Sequence, residues 1–249
     1  MYNLSDFSDF TEESYALLIA LAKENYRFIA YPEYKSSGKN ILWRHDIDYS
    51  VHRAYKLAKI EHELKVSSTF FIHLHSDFYN VLEKEITVLL DKIFSLHHHV
   101  GLHVDPAYYE LKIDSAGQLD ELIYREKKLL ESLFQVEIPV CSFHNPTIGN
   151  WIEYESETLA GMINTYSAYF KENYTYCSDS NGYWRHRRLK DVLLGAESEK
   201  VQVLTHPEWW TPEPLSPRER ITRCIDGRAH KQHKEYDAFL EAHGRLNIK

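Results

Sequence analysis

The segment ILWRHDID, residues 41–48, contains the pattern that decides the fold. Its first half, Ile41 to His45, is a short apolar run typical of a buried strand, and two carboxylates, Asp46 and Asp48, follow directly. Ser50 is placed to cap a helix that extends through Leu64. A buried strand followed at once by a helix is the repeating unit of a parallel sheet, so this segment predicts an α/β fold.

The same alternation continues along the chain, because runs rich in β-branched and aromatic residues recur between helical patterns. The further predicted strands are Ser68 to Leu74, Val100 to Val104, Ile138 to Phe143 and Val201 to Thr205. The further predicted helices are Thr11 to Tyr26, Val81 to Leu96, Leu119 to Phe134 and Ser216 to His243. Caps are predicted at Thr11 and at Asp114 or Ser115, and Gly227 predicts a break in the last helix. Residues 145–200 carry no pattern that assigns elements.

Composition excludes several classes of protein. The 249 residues are 43% hydrophobic and 27% charged, which excludes a disordered or fibrous chain. Three cysteines with no CxxC pair argue against a disulfide framework and a cysteine-ligated zinc site. The net charge of −8 argues against a nucleic-acid partner. The acidic N-terminus lacks a signal peptide's apolar segment, and no apolar stretch is long enough to span a bilayer, so we expect a cytoplasmic location.

Polar residues fall where the predicted strands end. Five strands each deliver an imidazole or a carboxylate just past an apolar run. The carboxyl ends of parallel strands form the site in α/β folds, so these residues are expected to converge. Carboxylates with neutral imidazoles suit a divalent metal such as zinc, manganese, iron or cobalt. The residues concerned are Asp46, Asp48, His75, Asp105, His103, His144, Asn145 and His206.

Each residue also has a simpler structural explanation. Asp46 and Asp48 can cap the helix that begins near Ser50, His103 can be a core histidine, and His144 and His206 precede turn residues. The site hypothesis is favoured because five strand ends would otherwise need five separate explanations.

Three further features have a structural interpretation. The run His97 to His99 is interpreted as exposed at a helix end, and His73 as packed in the core. Arg44, inside an apolar run, needs a buried partner, for which the neighbouring aspartates are the candidates.

Four ordered patterns resemble the polysaccharide deacetylase superfamily, the carbohydrate esterases that include chitin and peptidoglycan deacetylases. They are RHDID at 44–48, GLH at 101–103, SFHNP at 142–146 and LTHPEWW at 204–210. They are most similar to a divergent bacterial branch associated with surface-polysaccharide loci, and the resemblance covers residues 40 to 212. It implies a distorted (β/α) barrel of about seven mainly parallel strands. It also implies one domain over 1–249, with a helical extension at 1–39 and a C-terminal helix at 216–249.

The resemblance also implies a metal site. Asp46 resembles the general base and Asp48 the ligand of one divalent metal, most simply zinc, although the two roles can be exchanged. His103 matches the first histidine of the family's second motif, but Ala107 stands where the second is expected, and His144 can replace it. His206 resembles the general acid. Expected substrate contacts are His75, Asp105, Asn145, Trp209 and Arg185.

The activity implied by the resemblance is hydrolysis of a sugar N-acetyl group. A cytoplasmic enzyme would meet nucleotide-linked or lipid-linked precursors of lipopolysaccharide O-antigen or capsule, and Arg185 or Arg187 can bind their phosphate. Two alternatives stay open. One is a related C–N hydrolase acting on a non-sugar amide; the other is a non-catalytic sugar-binding or assembly protein, which Ala107 favours.

Overall fold

The computed structural model describes residues 7–109 and 116–248, which form a mainly parallel sheet with helices packed on it. The strands in these ranges are β1 (Arg27–Phe28), β2 (Asn40–Ile47), β3 (Thr69–His73), β4 (His99–Val104), β5 (Val140–Phe143), β6 (Thr158–Leu159), β7 (Met162–Asn164), β8 (Thr175–Ser178) and β9 (Lys200–Thr205). The α-helices are α1 (Glu12–Asn25), α2 (Val51–Glu63), α3 (Lys84–Ser95), α4 (Pro106–Tyr109), α5 (Ala116–Phe134), α6 (Ala168–Asn173), α7 (Leu189–Gly195) and α8 (Pro217–Ala242).

The sheet has the order β6-β7-β5-β4-β3-β2-β9-β8, and β1 pairs with the start of β2. Every pair is parallel except β6 with β7. The predicted α/β class and mainly parallel sheet are confirmed, and the sheet curls into a half-barrel. The resemblance implied about seven strands, and the residue patterns predicted five. The strands not predicted include β1 and β6, each two residues long and therefore too short to show a periodicity.

All five strands predicted from the sequence are present, with boundaries shifted by at most two residues. The predicted caps of the first two helices are confirmed: Ser14 N donates to Thr11 Oγ1 (3.1 Å), and Arg53 N donates to Ser50 Oγ (3.3 Å). The predicted caps Asp114 and Ser115 lie outside the described residues.

The break predicted at Gly227 is wrong, since α8 runs without interruption from Pro217 to Ala242. One glycine in a helix interior costs only about 1 kcal/mol relative to alanine, which a long helix can absorb. Ser216 instead begins this helix with a capping box, in which Glu219 N donates to Ser216 Oγ and Ser216 N donates to the Glu219 carboxylate.

The two faces of β2 lie in different surroundings, because side chains alternate along a strand. Ile41 and Trp43 pack outward in the core beneath α1 and α7. Leu42 and Arg44 point into the half-barrel, where Leu42 packs with Phe71. The buried partner expected for Arg44 is confirmed.

Both Nη atoms of Arg44 find partners inside the protein, whereas its buried Nε makes no hydrogen bond to the described residues. Arg44 Nη2 lies 3.3 Å from Asp46 Oδ2 and donates to Tyr166 OH (2.9 Å), while Nη1 donates to Thr165 Oγ1 (2.6 Å). A buried guanidinium is tolerable only when charge and hydrogen bonds are both supplied, as they are here.

A buried polar cluster attaches α2 to the outer face of the sheet. Its centre is Glu61, which lies 2.8 Å from His45 Nε2 and accepts from Ser68 Oγ (2.6 Å) and Tyr15 OH. His98 joins it, with Nε2 2.9 Å from the Ala58 carbonyl oxygen. The expectation that His97 to His99 face solvent is therefore wrong for His98, which is buried because the chain turns back into β4 at this point.

Among the described residues, no helix combines the length and the apolar character that crossing a bilayer requires.

Gly101 permits a close approach inside the half-barrel. A Cβ atom at this position would lie 2.5 Å from two ring carbons of Phe71. We predict that Gly101→Ala lowers the free energy of unfolding by about 1–3 kcal/mol, because the buried ring has to shift in a packed core. Urea denaturation measures this loss.

The matched control is Gly227→Ala, where a Cβ meets nothing within 4 Å. It should raise stability by up to about 1 kcal/mol through helix propensity. Equal stability of Gly101→Ala and the natural protein would contradict the packing described for Phe71.

Candidate metal centre

Four strand ends converge on one cavity of about 290 Å³. β2 contributes Asp46 and, just beyond its end, Asp48; β4, β5 and β9 deliver His103, His144 and His206 in turn. Because the strands are parallel, their carboxyl ends lie at one edge of the sheet, as expected from the sequence. The residues named in the sequence analysis that line this cavity are Asp46, Asp48, His103, His144, Asn145, Arg185, His206 and Trp209.

Asp48, His103 and His144 each offer one ligand atom, and these atoms lie within 4.8 Å of one another. Asp48 Oδ1 is 3.1 Å from His103 Nε2 and 3.4 Å from His144 Nδ1. This oxygen is buried and makes no well-formed hydrogen bond within the described residues, although both nitrogens are close. A carboxylate oxygen and two imidazole nitrogens without linear hydrogen bonds between them fit a divalent metal, with coordination positions left open.

Residues next to the candidate ligands orient them. His103 Nδ1 lies 2.7 Å from Ser142 Oγ, so Nε2 is the nitrogen that faces Asp48. Asn145 Nδ2 lies 2.8 Å from His144 Nε2. Such outer contacts fix the ring orientation of metal-binding histidines. Ser142 and Asn145 both belong to the segment at the end of β5, so this strand supplies one ligand and both orienting contacts.

The charge on Asp48 depends on its imidazole neighbours. Burial opposes ionisation, but the contacts with His103 and His144, together with the charges of His103 and His206, outweigh it and hold the pKa of Asp48 well below its usual range. Asp48 is therefore an anion at neutral pH.

Asp46 has a different partner, since its Oδ2 lies 3.3 Å from Arg44 Nη2 and 3.7 Å from His103 Nδ1. Its other oxygen, Oδ1, is buried without a hydrogen bond in the described part of the chain. The two aspartates therefore have distinct environments: one faces imidazoles and the other a guanidinium.

His206 is held by a carboxylate that the sequence analysis did not identify. Asp179 Oδ1 lies 2.6 Å from His206 Nδ1 and accepts from the His206 backbone N–H (3.0 Å), while Trp210 Nε1 donates to Oδ2 (2.9 Å). Burial disfavours the imidazolium, but the Asp179 carboxylate outweighs it and raises the pKa of His206 to about 10. His206 is therefore protonated at neutral pH, with Nε2 3.8 Å from Asp48 Oδ2.

A sequence signal for Asp179 exists. The run TYCS at 175–178 is aromatic and β-branched, and it forms β8 directly before Asp179. This is the same strand-end pattern as at the other site residues. It lies within the segment 145–200, in which the sequence analysis assigned no elements.

The structure does not bring two expected substrate contacts into the cavity. His75 lies beyond the end of β3, with Nε2 2.5 Å from Glu126 Oε1 and its ring stacked on Tyr108. Asp105 Oδ2 lies 3.7 Å from His73 Nε2, and its Oδ1 accepts from Ala107 N (3.1 Å).

His73 and Ala107, two positions discussed in the sequence analysis, lie near these contacts. His73 is buried, as expected, and its ring lies 4.6 Å from that of His144. Ala107 is exposed on α4. The position expected for a second family histidine therefore faces away from the core, and His144 stands beside Asp48 instead.

Comparisons with known proteins found likeness only to solved structures. No family model matches the chain, and no curated protein matches it. One similar structure is a mutant of BA3943, described as a CE4 family pseudoenzyme with restored enzymatic activity; it has a TM-score of 0.41 and 14% identity over 79% of this chain and 64% of that chain. Another is wild-type BA3943, a CE4 family pseudoenzyme from Bacillus anthracis, with a TM-score of 0.40 and 14% identity over 77% of this chain and 62% of that chain. The chain thus spans less than two thirds of the length of these structures.

The contact between His206 and Asp179 generates a prediction about pH. In metal-free protein, Asp179→Asn should lower the pKa of His206 from about 10, because the neutral amide no longer stabilises the imidazolium. NMR titration of the His206 imidazole measures this shift.

The contact between His206 and Asp179 should also make the free energy of unfolding depend on pH. The folded pKa of His206 is raised above the unfolded value near 6.5, so its stabilisation is complete below pH ~6.5 and is lost as pH rises towards 10. In Asp179→Asn, the free energy of unfolding measured by urea denaturation should fall less between pH 6 and pH 10 than in the natural protein. An unchanged titration of His206 would contradict the assigned contact.

Proposed function

We propose that this protein is a metal-dependent hydrolase that removes the N-acetyl group from a sugar. The observation that carries the proposal is the convergence of one carboxylate and two imidazoles, Asp48, His103 and His144, with Asp46 and His206 in the same cavity. Such a set combines candidate ligands with a candidate base and a candidate acid, which amide hydrolysis requires.

Asp48, His103 and His144 would hold the metal, for which zinc suits the donor set. A divalent ion bound there supplies Lewis acidity, which lowers the pKa of water and polarises a carbonyl oxygen. We assign the ligand role to Asp48 because two imidazole nitrogens lie within 3.4 Å of its Oδ1. Asp46 is left as the base, since its nearest charged partner is the fixed guanidinium of Arg44.

The protein's own residues then transfer two protons, one from the attacking water and one to the departing amine. Asp46 accepts a proton from the attacking water, and its buried Oδ1 has no competing hydrogen bond in the described chain. His206, protonated through Asp179, donates a proton to the departing amine from Nε2. Arg44 positions Asp46, and Asp179 positions the His206 ring with Nδ1 occupied and Nε2 facing the cavity.

The cavity suits a sugar in size and lining. A volume of about 290 Å³ is at the lower limit for small-molecule sites and matches about one sugar unit with its N-acetyl group. Trp209 and Tyr49 provide aromatic surface, while Asn145 and Arg185 provide polar groups for hydroxyls. We propose a nucleotide-linked or lipid-linked N-acetyl sugar of surface-polysaccharide synthesis as the substrate.

One observation favours a second candidate, a sugar-binding protein without catalysis. Ala107 stands at the position where the resemblance predicts a metal-binding histidine, and it is exposed. The proximity of His144 to Asp48 supports catalysis instead, because a third ligand is present from another strand. Metal content separates these two candidates.

We predict about one divalent metal per chain, bound without an affinity tag and detected by elemental analysis. The double variant Asp48→Asn/His103→Ala should lose the metal, since each change removes a ligand. His233→Ala, an exposed histidine on α8, is the matched control and should keep it. Natural protein that binds no zinc, manganese or iron even when these are added would favour the non-catalytic candidate.

Asp46→Asn should keep the metal but lower kcat for sugar deacetylation by about 10²–10⁴-fold, which is the usual contribution of a general base. His206→Ala should reduce kcat similarly. Acetate release from N-acetyl sugars, measured beside a panel of formyl and non-sugar amides, gives the rates. Full activity in both variants would contradict the assigned mechanism. Activity of the natural protein on non-sugar amides alone would show that the substrate is not an N-acetyl sugar.

A further inference from the structure

A second cavity, of about 380 Å³, lies beside the candidate metal centre, and its lining is rich in basic side chains. It is formed by the start of α2, the loop that follows β2 and one side of α8. In the described chain, five lysine or arginine side chains line it, against one carboxyl group, that of Glu208. The five cations are Arg53, Arg220, Arg223, Arg228 and Lys231.

Several of these cations are held in place by carboxylates that lie outside the cavity lining. Arg53 Nη2 donates to Glu12 Oε1 (2.8 Å), and Arg228 Nη2 donates to Glu83 Oε2 (3.0 Å). Lys231 Nζ donates to Glu83 Oε1 (2.8 Å). Lys231 is also paired with Glu85. These carboxylates offset part of the positive charge and hold the three cations in position before any ligand arrives.

One of these cations, Arg53, has a donor without an acceptor among the described residues. Burial, with a smaller contribution from the positive charge of Arg223, lowers the pKa of Arg53. Arg53 is largely buried, and its Nε makes no hydrogen bond to the described residues. An anion in this cavity would supply an acceptor for Arg53 Nε that the described residues do not provide.

The chemistry of the lining fits a phosphate ester. Guanidinium groups bind phosphate oxygens through paired N–H donors, and several arginines spread around a cavity suit a group with more than one negative charge. The volume exceeds what one phosphate fills and lies within the range of small-molecule sites. Phe78 and Tyr79 supply an apolar wall on one side, which free phosphate would not need.

The position of the cavity connects it to the candidate metal centre. Tyr49 lines both cavities and directly follows Asp48 in the chain. The two cavities therefore share this residue as a wall, and its ring packs between Phe78 of the cationic cavity and Trp209 of the other. The proposed base and acid stand on one side of Tyr49, and the cationic lining stands on the other.

We propose that the cationic cavity binds the diphosphate of a phosphate-linked sugar whose N-acetyl group lies in the candidate metal centre. This inference rests on the proposed function for the identity of the reacting group, but the anion site itself does not depend on catalysis. It assigns the charged part of the substrate to α2 and α8 rather than to Arg185, which lines the other cavity.

The binding test uses inorganic pyrophosphate and metal-free protein, because pyrophosphate would also bind a metal. Isothermal titration calorimetry should show saturable binding to the natural protein. Binding should weaken at least tenfold in Arg223→Gln/Arg228→Gln. Arg218→Gln, an exposed arginine of the same helix outside the lining, should bind within twofold of the natural protein, and so should Asp48→Asn. No binding to the natural protein would overturn the proposal, as would loss of binding in Asp48→Asn or Arg185→Gln.

A second measurement needs no variant. Cys224 lines the cationic cavity, whereas the other cysteines, Cys141 and Cys177, are buried elsewhere. Saturating pyrophosphate should slow the alkylation of Cys224 at least threefold, as measured by mass spectrometry of the labelled peptide. An unchanged rate would overturn the proposed location, even if pyrophosphate binds.

Kinetics distinguishes a substrate diphosphate from a separate anionic ligand. With a diphosphate-linked N-acetyl sugar, Arg223→Gln/Arg228→Gln should raise KM at least tenfold, while kcat/KM for a neutral N-acetyl sugar stays unchanged. Equal effects on both substrates would overturn the substrate assignment. Pyrophosphate binding without any deacetylation would refute the proposed function and leave the anion site intact. Deacetylation without pyrophosphate binding would refute the anion site and leave the proposed function intact.

Discussion

Every side chain of β2 is buried, and the two-residue period of the strand divides them between the helix-covered face and the interior of the half-barrel. The interior side chains include Arg44, whose charge has to be satisfied away from water. Asp46 is the residue that can satisfy it from the same strand and the same face, with Tyr166 OH as a further acceptor. The alternation of side chains along β2 thus sets both the packing of the half-barrel and the position of the proposed base, Asp46.

Charge pairing then separates the roles of the remaining groups. Asp46 is paired with Arg44, and His206 is paired with Asp179, so each residue proposed to transfer a proton has a fixed partner of opposite charge. Asp48 lies beside the imidazoles of His103, His144 and His206, and one of its buried oxygens makes no hydrogen bond to the described residues. A carboxylate in that position is stabilised most simply by a cation with open coordination sites, which is why a metal is part of the proposed mechanism.

The surrounding framework holds this edge of the sheet rigid. Ser50 caps α2 just two residues after Asp48, and the buried Glu61 cluster ties the other end of the same helix to β2 and to the start of β4. A site carried by strand ends and supported by a capped, anchored helix keeps its side chains in place before a substrate binds. The same helix places Arg53 in the cationic cavity, so one element serves both proposed halves of the substrate site.

The sequence by itself determined the α/β class, the five principal strands and the polar strand ends, because these depend on local periodicity and on the geometry of parallel sheets. Only the tertiary structure decided which of those residues meet. His75 follows its strand through a turn and leaves the cavity, whereas Asp179 enters from a segment without periodic pattern and reaches His206 across twenty-seven positions in sequence. His98 is buried by a chain reversal that no local pattern shows, and the cationic lining joins α2 to α8 through long-range packing. Local patterns specify elements, but contacts between distant segments are settled by the packing of the whole chain.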